Sequence, residues 1–283
     1  MADGMINIRF SLCLAVLLAV IGIDSSIEAG VLIQPTFLFL NQSRGSIPIT
    51  VRNPGDTPVE VWLEVKFGYV TSNDTGQTIV IYDTLGTPPQ SAVPWIKLYP
   101  QRFRLEPLRS QIVRVMVTPP ANISDGEYWA RIMVGNQDVK DAKSAADVGK
   151  GKSGITFAQK IGIPLHYRKG EVTTGINIKN VDVSVTQDKI AITMDMNRLG
   201  NASYWGGATF SLFDAQRRRV LSMKRDVVVY TNYHARVELD RSKIQPGTYT
   251  MEVDVSPDLR TSIRKGDLIP SEPIHISKSI VLN

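Results

Sequence analysis

From Ile155 to Arg168 the odd positions run Ile155, Phe157, Gln159, Ile161, Ile163, Leu165 and Tyr167, all apolar but for the glutamine. Successive side chains of a strand point to opposite faces, so this alternation predicts a long β-strand with one apolar face. Lys169-Gly170 ends it and a second block of strand-like sequence starts beyond, so the strand closes one domain and leads into the next. The pattern raises one functional question: whether that face is buried in its own core or lent to another protein.

The same grammar holds on both sides. Before Ile155, apolar runs predict strands at Val31 to Leu40, Ser46 to Val51, Val59 to Phe67, Thr78 to Tyr82, Ile112 to Val117 and Tyr128 to Val134. Asn53-Pro54-Gly55-Asp56 is a turn, with proline setting one φ and glycine permitting a positive one. After Thr174 the runs are Ile176 to Val185, Ile190 to Met196, Ala208 to Phe213, Val220 to Tyr230, Ala235 to Leu239, Thr248 to Val255 and Ile274 to Leu282, with turns at Gly200, Gly206-Gly207 and Pro246-Gly247. No stretch of the first half has a helical period. The pattern is that of an all-β chain of two β-sandwich domains in tandem, residues 30–169 and 170–283, joined at Lys169 to Thr174. Gly135 to Gly154 differs: almost without large apolar residues and rich in Lys, Asp, Ala and Gly, it predicts a mobile loop just ahead of the long strand.

At 283 residues the chain can bury two cores. Arg9 precedes the apolar run Ser11 to Ile23, and small Ala29 follows, which is the layout of a secretory signal peptide over residues 1–29; an uncleaved anchor is the alternative. The single cysteine, Cys13, lies within that run, so an exported mature chain would have no thiol and no disulfide and would rely on burial. No second run reaches membrane-spanning length, so no integral membrane segment is expected in the mature form. Without residues 1–29 there remain 31 basic and 24 acidic side chains, a formal +7. A basic balance helps attract acidic surfaces, but the basic residues are scattered. Arg217-Arg218-Arg219 reads as a solvated hairpin edge, and the patch with interleaved aromatics that nucleic acid requires is missing.

Little here supports catalysis. His166, His234 and His275 fall in separate strands without i, i+2 or i, i+4 partners, which argues against a metal site. No nucleophile elbow, phosphate-cradling glycine loop or His-Glu-x-x-His helix occurs, no carboxylate pair stands out, and no catalytic residue or cofactor is assigned. Trp62, Trp95, Trp129 and Trp205 come from different strands and loops, which favours packing over a sugar-stacking platform. Asn41, Asn73, Asn122 and Asn201 head N-glycosylation acceptor patterns, of consequence only in a eukaryotic secretory route. Glu127 opens one strand and Arg168 ends the next, so antiparallel pairing places them at the same end of the sheet, facing the second domain. There they form either a bidentate pair that sets the interdomain angle or an ordinary rim ion pair of little energetic value.

Order and spacing also carry a resemblance. Ile47 to Asn53 (IPITVRN), Arg104-Leu105-Glu106-Pro107 followed by Val113-Arg114-Val115, Thr118-Pro119-Pro120, Asp125-Gly126-Glu127-Tyr128 and Leu165-His166-Tyr167-Arg168 resemble the PapD-like periplasmic chaperones of pilus assembly. The resemblance covers about 140 residues of the first domain. It implies two immunoglobulin-like domains set in a boomerang, a periplasmic location, and binding of pilin-like subunits, with an outer-membrane usher as a further partner. It implies donor-strand complementation, in which Ile155, Phe157, Ile161 and Ile163 fill the groove of a subunit lacking a strand while the backbone completes its sheet. It also implies an interdomain lock of Glu127, Arg168 and a third charge, for which Asp254 and Asp258 are the candidates. The family's two basic residues for the subunit's terminal carboxylate fall at Phe37 and Pro164, which cannot bind one; Lys160 or His166 would have to substitute. Leu108 stands where the family turns on glycine. The rival function is a secreted structural or adhesive protein on the same scaffold.

Overall fold

Proline and a change of partner break the first predicted strand in two. In a computed structural model, which describes residues 30–82, 88–139 and 158–282, β1 (Leu32–Gln34) and β2 (Leu38–Asn41) lie in different sheets on either side of Pro35, which has no N–H to give a ladder. The first half continues with β3 (Ser46–Arg52), β4 (Val59–Lys66), β5 (Tyr69–Ser72), β6 (Thr78–Ile81), β7 (Ile96–Tyr99), β8 (Arg102–Leu105), β9 (Ser110–Val117), β10 (Gly126–Asp138) and β11 (Ala158–Lys169). One sheet has the order β1-β3-β9-β7, the facing one β2-β11-β10-β4-β8, and β5 and β6 form a hairpin of their own. The alternation predicted from sequence explains the packing. Ile47, Ile49 and Val51 of β3, Val113 and Val115 of β9, Ile132 and Val134 of β10, and Ile163, Leu165 and Tyr167 of β11 point into one core.

The second half folds as β12 (Thr174–Val185), β13 (Lys189–Gly200), β14 (Tyr204–Phe213), β15 (Arg219–Val229), β16 (Asn232–Asp240), β17 (Gly247–Ser256) and β18 (Ile274–Leu282). The sheets β12-β13-β16 and β15-β14-β17-β18 enclose a second core around Ile190, Ile192, Phe210, Leu212, Val253 and Val255. In each half the first, second and fifth strands of the sandwich proper share one sheet and the third, sixth and seventh the other, an immunoglobulin-like partition. A third, aromatic cluster of Phe39, Phe67, Trp129, Trp205, Tyr230 and Ile263 joins the two halves. Among the described residues no helix is long and apolar enough to cross a membrane.

Several expectations change. Gly135 to Asp138, assigned to the loop, continue β10, because Gly135 to Gln137 are paired on both sides, Gly135 with Lys160 and with Trp62, and Asp138 still pairs with Val59. Residues 140–154 of the expected loop, along with Ile155, Phe157 and the leader, lie outside the described residues. β5, β7 and β8 are four residues each and too short to show a period, the last two also flanked by Pro94, Pro100 and Pro107. Gly206-Gly207 is no turn but lies inside β14, where a Cβ on Gly207 would stand 2.8 Å from the backbone of Leu259. Leu108 does turn where glycine was expected, at φ 58 and exposed.

Candidate functional site

The long strand carries two distinct environments. β10 pairs with β11 antiparallel along its length, from Gly126↔Lys169 to Gln137↔Ala158. On its other side β11 meets β2, in parallel, only from Leu165↔Leu38 to Arg168↔Asn41. From Ala158 to Pro164 that side has no strand among the described residues. Seven residues of extended chain span roughly 23 Å of open sheet edge. The lack of a covering strand shows in the side chains. Ile161 lies in the core-facing row yet is 39% exposed, while Ile163, two residues on and beside the start of β2, is 2% exposed. Of the four expected donors the structure therefore leaves Ile161 accessible and seals Ile163 into its own core. Natural sheets usually blunt such an edge; here Pro164, without an N–H, stands where the covered and open parts meet.

Neither expected carboxylate anchor is free. Lys160 donates to Glu64 at 2.9 Å. His166 is fully buried with both ring nitrogens bonded, Nδ1 to Glu127 at 3.1 Å and Nε2 to the Tyr230 hydroxyl at 3.1 Å. A guanidinium that the sequence reading did not single out lies nearby. Arg131, 7% exposed and paired in register with Pro164, donates from Nη1 to the Gly162 carbonyl at 3.2 Å, and its Nε has no partner among the described residues. From the second half Arg260, also buried, stacks over Phe37 and Trp205 at 5.6 and 4.9 Å. Its Nη2 pairs with Asp226 at 3.2 Å, and its Nε is unpartnered among the described residues.

At the upper end of β11, Glu127 and Arg168 stand opposite one another, with Arg168 Nε donating to Glu127 Oε2 at 2.9 Å. Glu127 is not on a rim. Its Oε1 accepts from Trp129 Nε1 at 3.0 Å, from the Ser203 amide at 3.1 Å and from the Ser203 hydroxyl, so the first half's carboxylate is clasped by the second half's Ser203. Arg168 Nη1 donates to the Asp267 carbonyl at 2.6 Å and its plane lies over Phe39 at 4.7 Å. Asp254 and Asp258, the candidates for a third charge, are engaged elsewhere, with His275 at 2.7 Å and Lys265 at 3.6 Å. The second half contributes a neutral serine and a main-chain carbonyl, which leave no charge signature to find. Asp267's own carboxylate does meet Arg44 at 3.5 Å.

Burial alone would push the Glu127 carboxyl up; His166, Arg168 and Ser203 outweigh it and hold it well below the usual carboxylate range. His166 is pushed down, chiefly by burial, with Arg168 and Arg131 acting in the same sense against the pull of Glu127. The partners then set the tautomer: neutral His166 keeps its proton on Nδ1 for Glu127 and accepts from Tyr230 at Nε2. A folded-state pKa below the ordinary 6.5 means that His166 stabilises the fold above that pH and that this stability is lost as pH falls through it. Glu127 adds a loss of the same sign below its ordinary 4.5. Exposed His275, raised by Asp254, acts in the opposite sense but is screened by solvent. The urea midpoint should therefore fall from pH 7.5 to 5.5, and a His166→Gln chain should lose that slope while keeping the fall at lower pH.

The remaining candidates are dispersed. Trp95 packs on Tyr128 and Tyr167, Trp129 and Trp205 belong to the junction, and Trp62 lies against Gly135. Among the described residues no group of three or more His, Cys, Asp or Glu is placed to hold a metal ion.

No family model and no curated protein matches the chain. Among solved structures it is similar to the CsuC–CsuE chaperone–tip adhesion subunit complex of Acinetobacter baumannii, at 13% identity over 87% of this chain and 98% of that one, with a TM-score of 0.44. The Salmonella enterica SafA pilin–SafB chaperone complex matches at 14% identity over 87% and 95%, TM-score 0.42. The Pseudomonas aeruginosa CupB2 chaperone matches at 12% over 88% and 100%, TM-score 0.38. Likeness at this level decides no function.

Proposed function

We propose that the chain is a non-enzymatic, periplasmic chaperone-like protein that binds incomplete β-sandwich subunits of pili or fimbriae by lending them the open stretch of β11. The observation that carries this reading is the side of Ala158 to Pro164 on which no strand lies among the described residues, with Ile161 partly exposed beside it. A partner strand laid there gains main-chain hydrogen bonds from the edge, and its neighbours gain Ile161 as an apolar plug. Arg131 and Arg260 support an anchor for the subunit's terminal carboxylate. Arg131 stands across from Pro164 and Arg260 over Phe37, the two positions where the expected bases are missing. Each is buried with an Nε unpartnered among the described residues, a donor that a carboxylate would satisfy. Glu127, Arg168 and Ser203 would hold the second sandwich at a fixed angle to the first. Co-expression with a pilin-like subunit lacking its last strand tests the reading. A one-to-one complex is expected on size exclusion; a chain that stays alone with every such subunit would instead be a structural or adhesive protein.

A further inference from the structure

The β5–β6 hairpin belongs to neither sheet of the first sandwich, yet it is well built. Asn73 braces its turn, with Oδ1 accepting from the amides of Thr75 and Gln77 at 3.1 and 2.9 Å. The hairpin reaches the second sandwich at β16, the edge strand of β12-β13-β16. There it meets free main-chain groups with side chains: Thr71 Oγ1 donates to the Asn232 carbonyl at 3.1 Å, and the His234 amide donates to Ser72 Oγ at 2.6 Å. Thr78 Oγ1 and the Tyr233 hydroxyl are 2.6 Å apart. At its base Tyr69 packs against Trp129 of the first half and Tyr230 of the second, both at 5.9 Å. At its tip Gly76, at φ 77, lies so close to Arg236 that a Cβ would stand 2.4 Å from the arginine's Cβ and 2.9 Å from its amide nitrogen. Trp129 and Tyr230 also serve the Glu127 network, through Glu127 Oε1 and His166 Nε2, but the hairpin residues that meet β16 have no bond to it.

We propose that this hairpin is a clasp, which closes on β16 and fixes the second sandwich against the first independently of Glu127 and Arg168. It caps an edge that would otherwise offer unpaired groups to a stray strand. It does so with side chains rather than a ladder, so it can close and release without re-registering either sheet.

The test uses the full chain in a Cys13→Ser background, spin-labelled at Lys97→Cys and Ser279→Cys, two exposed positions on opposite halves. Gly76→Val forces the tip off Arg236. Losing two or three edge hydrogen bonds should speed amide exchange in Tyr69 to Ile81 and at His234 by about tenfold or more. The label–label distance distribution should broaden or shift while β13 and β17 amides stay protected. An unchanged distance distribution, whether or not the hairpin amides exchange faster, overturns the proposal. If Gly76→Val instead unprotects β13 and β17, the milder chain carrying Ser72→Ala and Thr78→Val decides by the same two readouts.

Discussion

Glu127→Ala should lower the stability of the chain by about 3–5 kcal/mol, the usual cost of removing one member of a buried, hydrogen-bonded ion pair. The size follows from what would be stranded. Arg168 would keep a charge at 13% side-chain exposure with its carboxylate gone, and Trp129 Nε1, the Ser203 amide and the Ser203 hydroxyl would each lose an acceptor. Because Ser203 belongs to the second half, the loss should appear as a loosened junction as well as a lower urea midpoint. Glu127→Gln retains shape and one acceptor oxygen and should lose less. Asp258→Ala, at an 82% exposed carboxylate paired with Lys265, should change stability by no more than about 0.5 kcal/mol. Equal effects of Glu127→Ala and Asp258→Ala in denaturant titrations would refute the assignment of the junction.

The second large effect separates neighbours in one row of β11. Ile163→Asp should cost on the order of 4 kcal/mol or more, because it places an unpaired carboxylate in a sealed core. Ile161→Asp should cost the free chain about 1 kcal/mol or less, since its side chain already meets solvent. In the presence of a subunit the order reverses. Ile161→Asp should leave a folded chain whose affinity for the incomplete subunit falls by roughly a hundredfold, as a carboxylate is pressed into an apolar groove. Thermal melts of the free chains and titration with the subunit check both halves of the statement. A folded Ile161→Asp chain that binds as tightly as its parent would remove this residue from the interface.

Over its described part, from Ala158, the alternation was enough to read a strand and its apolar face from the sequence, and the same period located most strands of both cores. It could not say how much of that face is covered. Ile161 and Ile163 are equivalent by period; only the register of β2, whose pairing begins at Leu165, makes one sealed and the other exposed. Glu127 and Arg168 were legible because opposite charges at adjacent strand ends must converge. Ser203 and the Asp267 carbonyl were not, being neutral and distant in sequence. Arg131 was hidden among many arginines, since what distinguishes it is burial opposite Pro164. The β5–β6 hairpin was half seen, because Tyr69 to Ser72 is too short to show a period and its bonds to β16 are made by side chains.

Amide exchange along β11, with and without an incomplete pilin-like subunit, tests the central claim most directly. The amides of Ala158 to Ile163 that face away from β10 should be fast in the free chain and slow in the complex, while those of Leu165 to Arg168, already beside β2, should not change. Protection appearing instead at another edge, with Ala158 to Ile163 exchanging at the same rate in a stable complex, would contradict it.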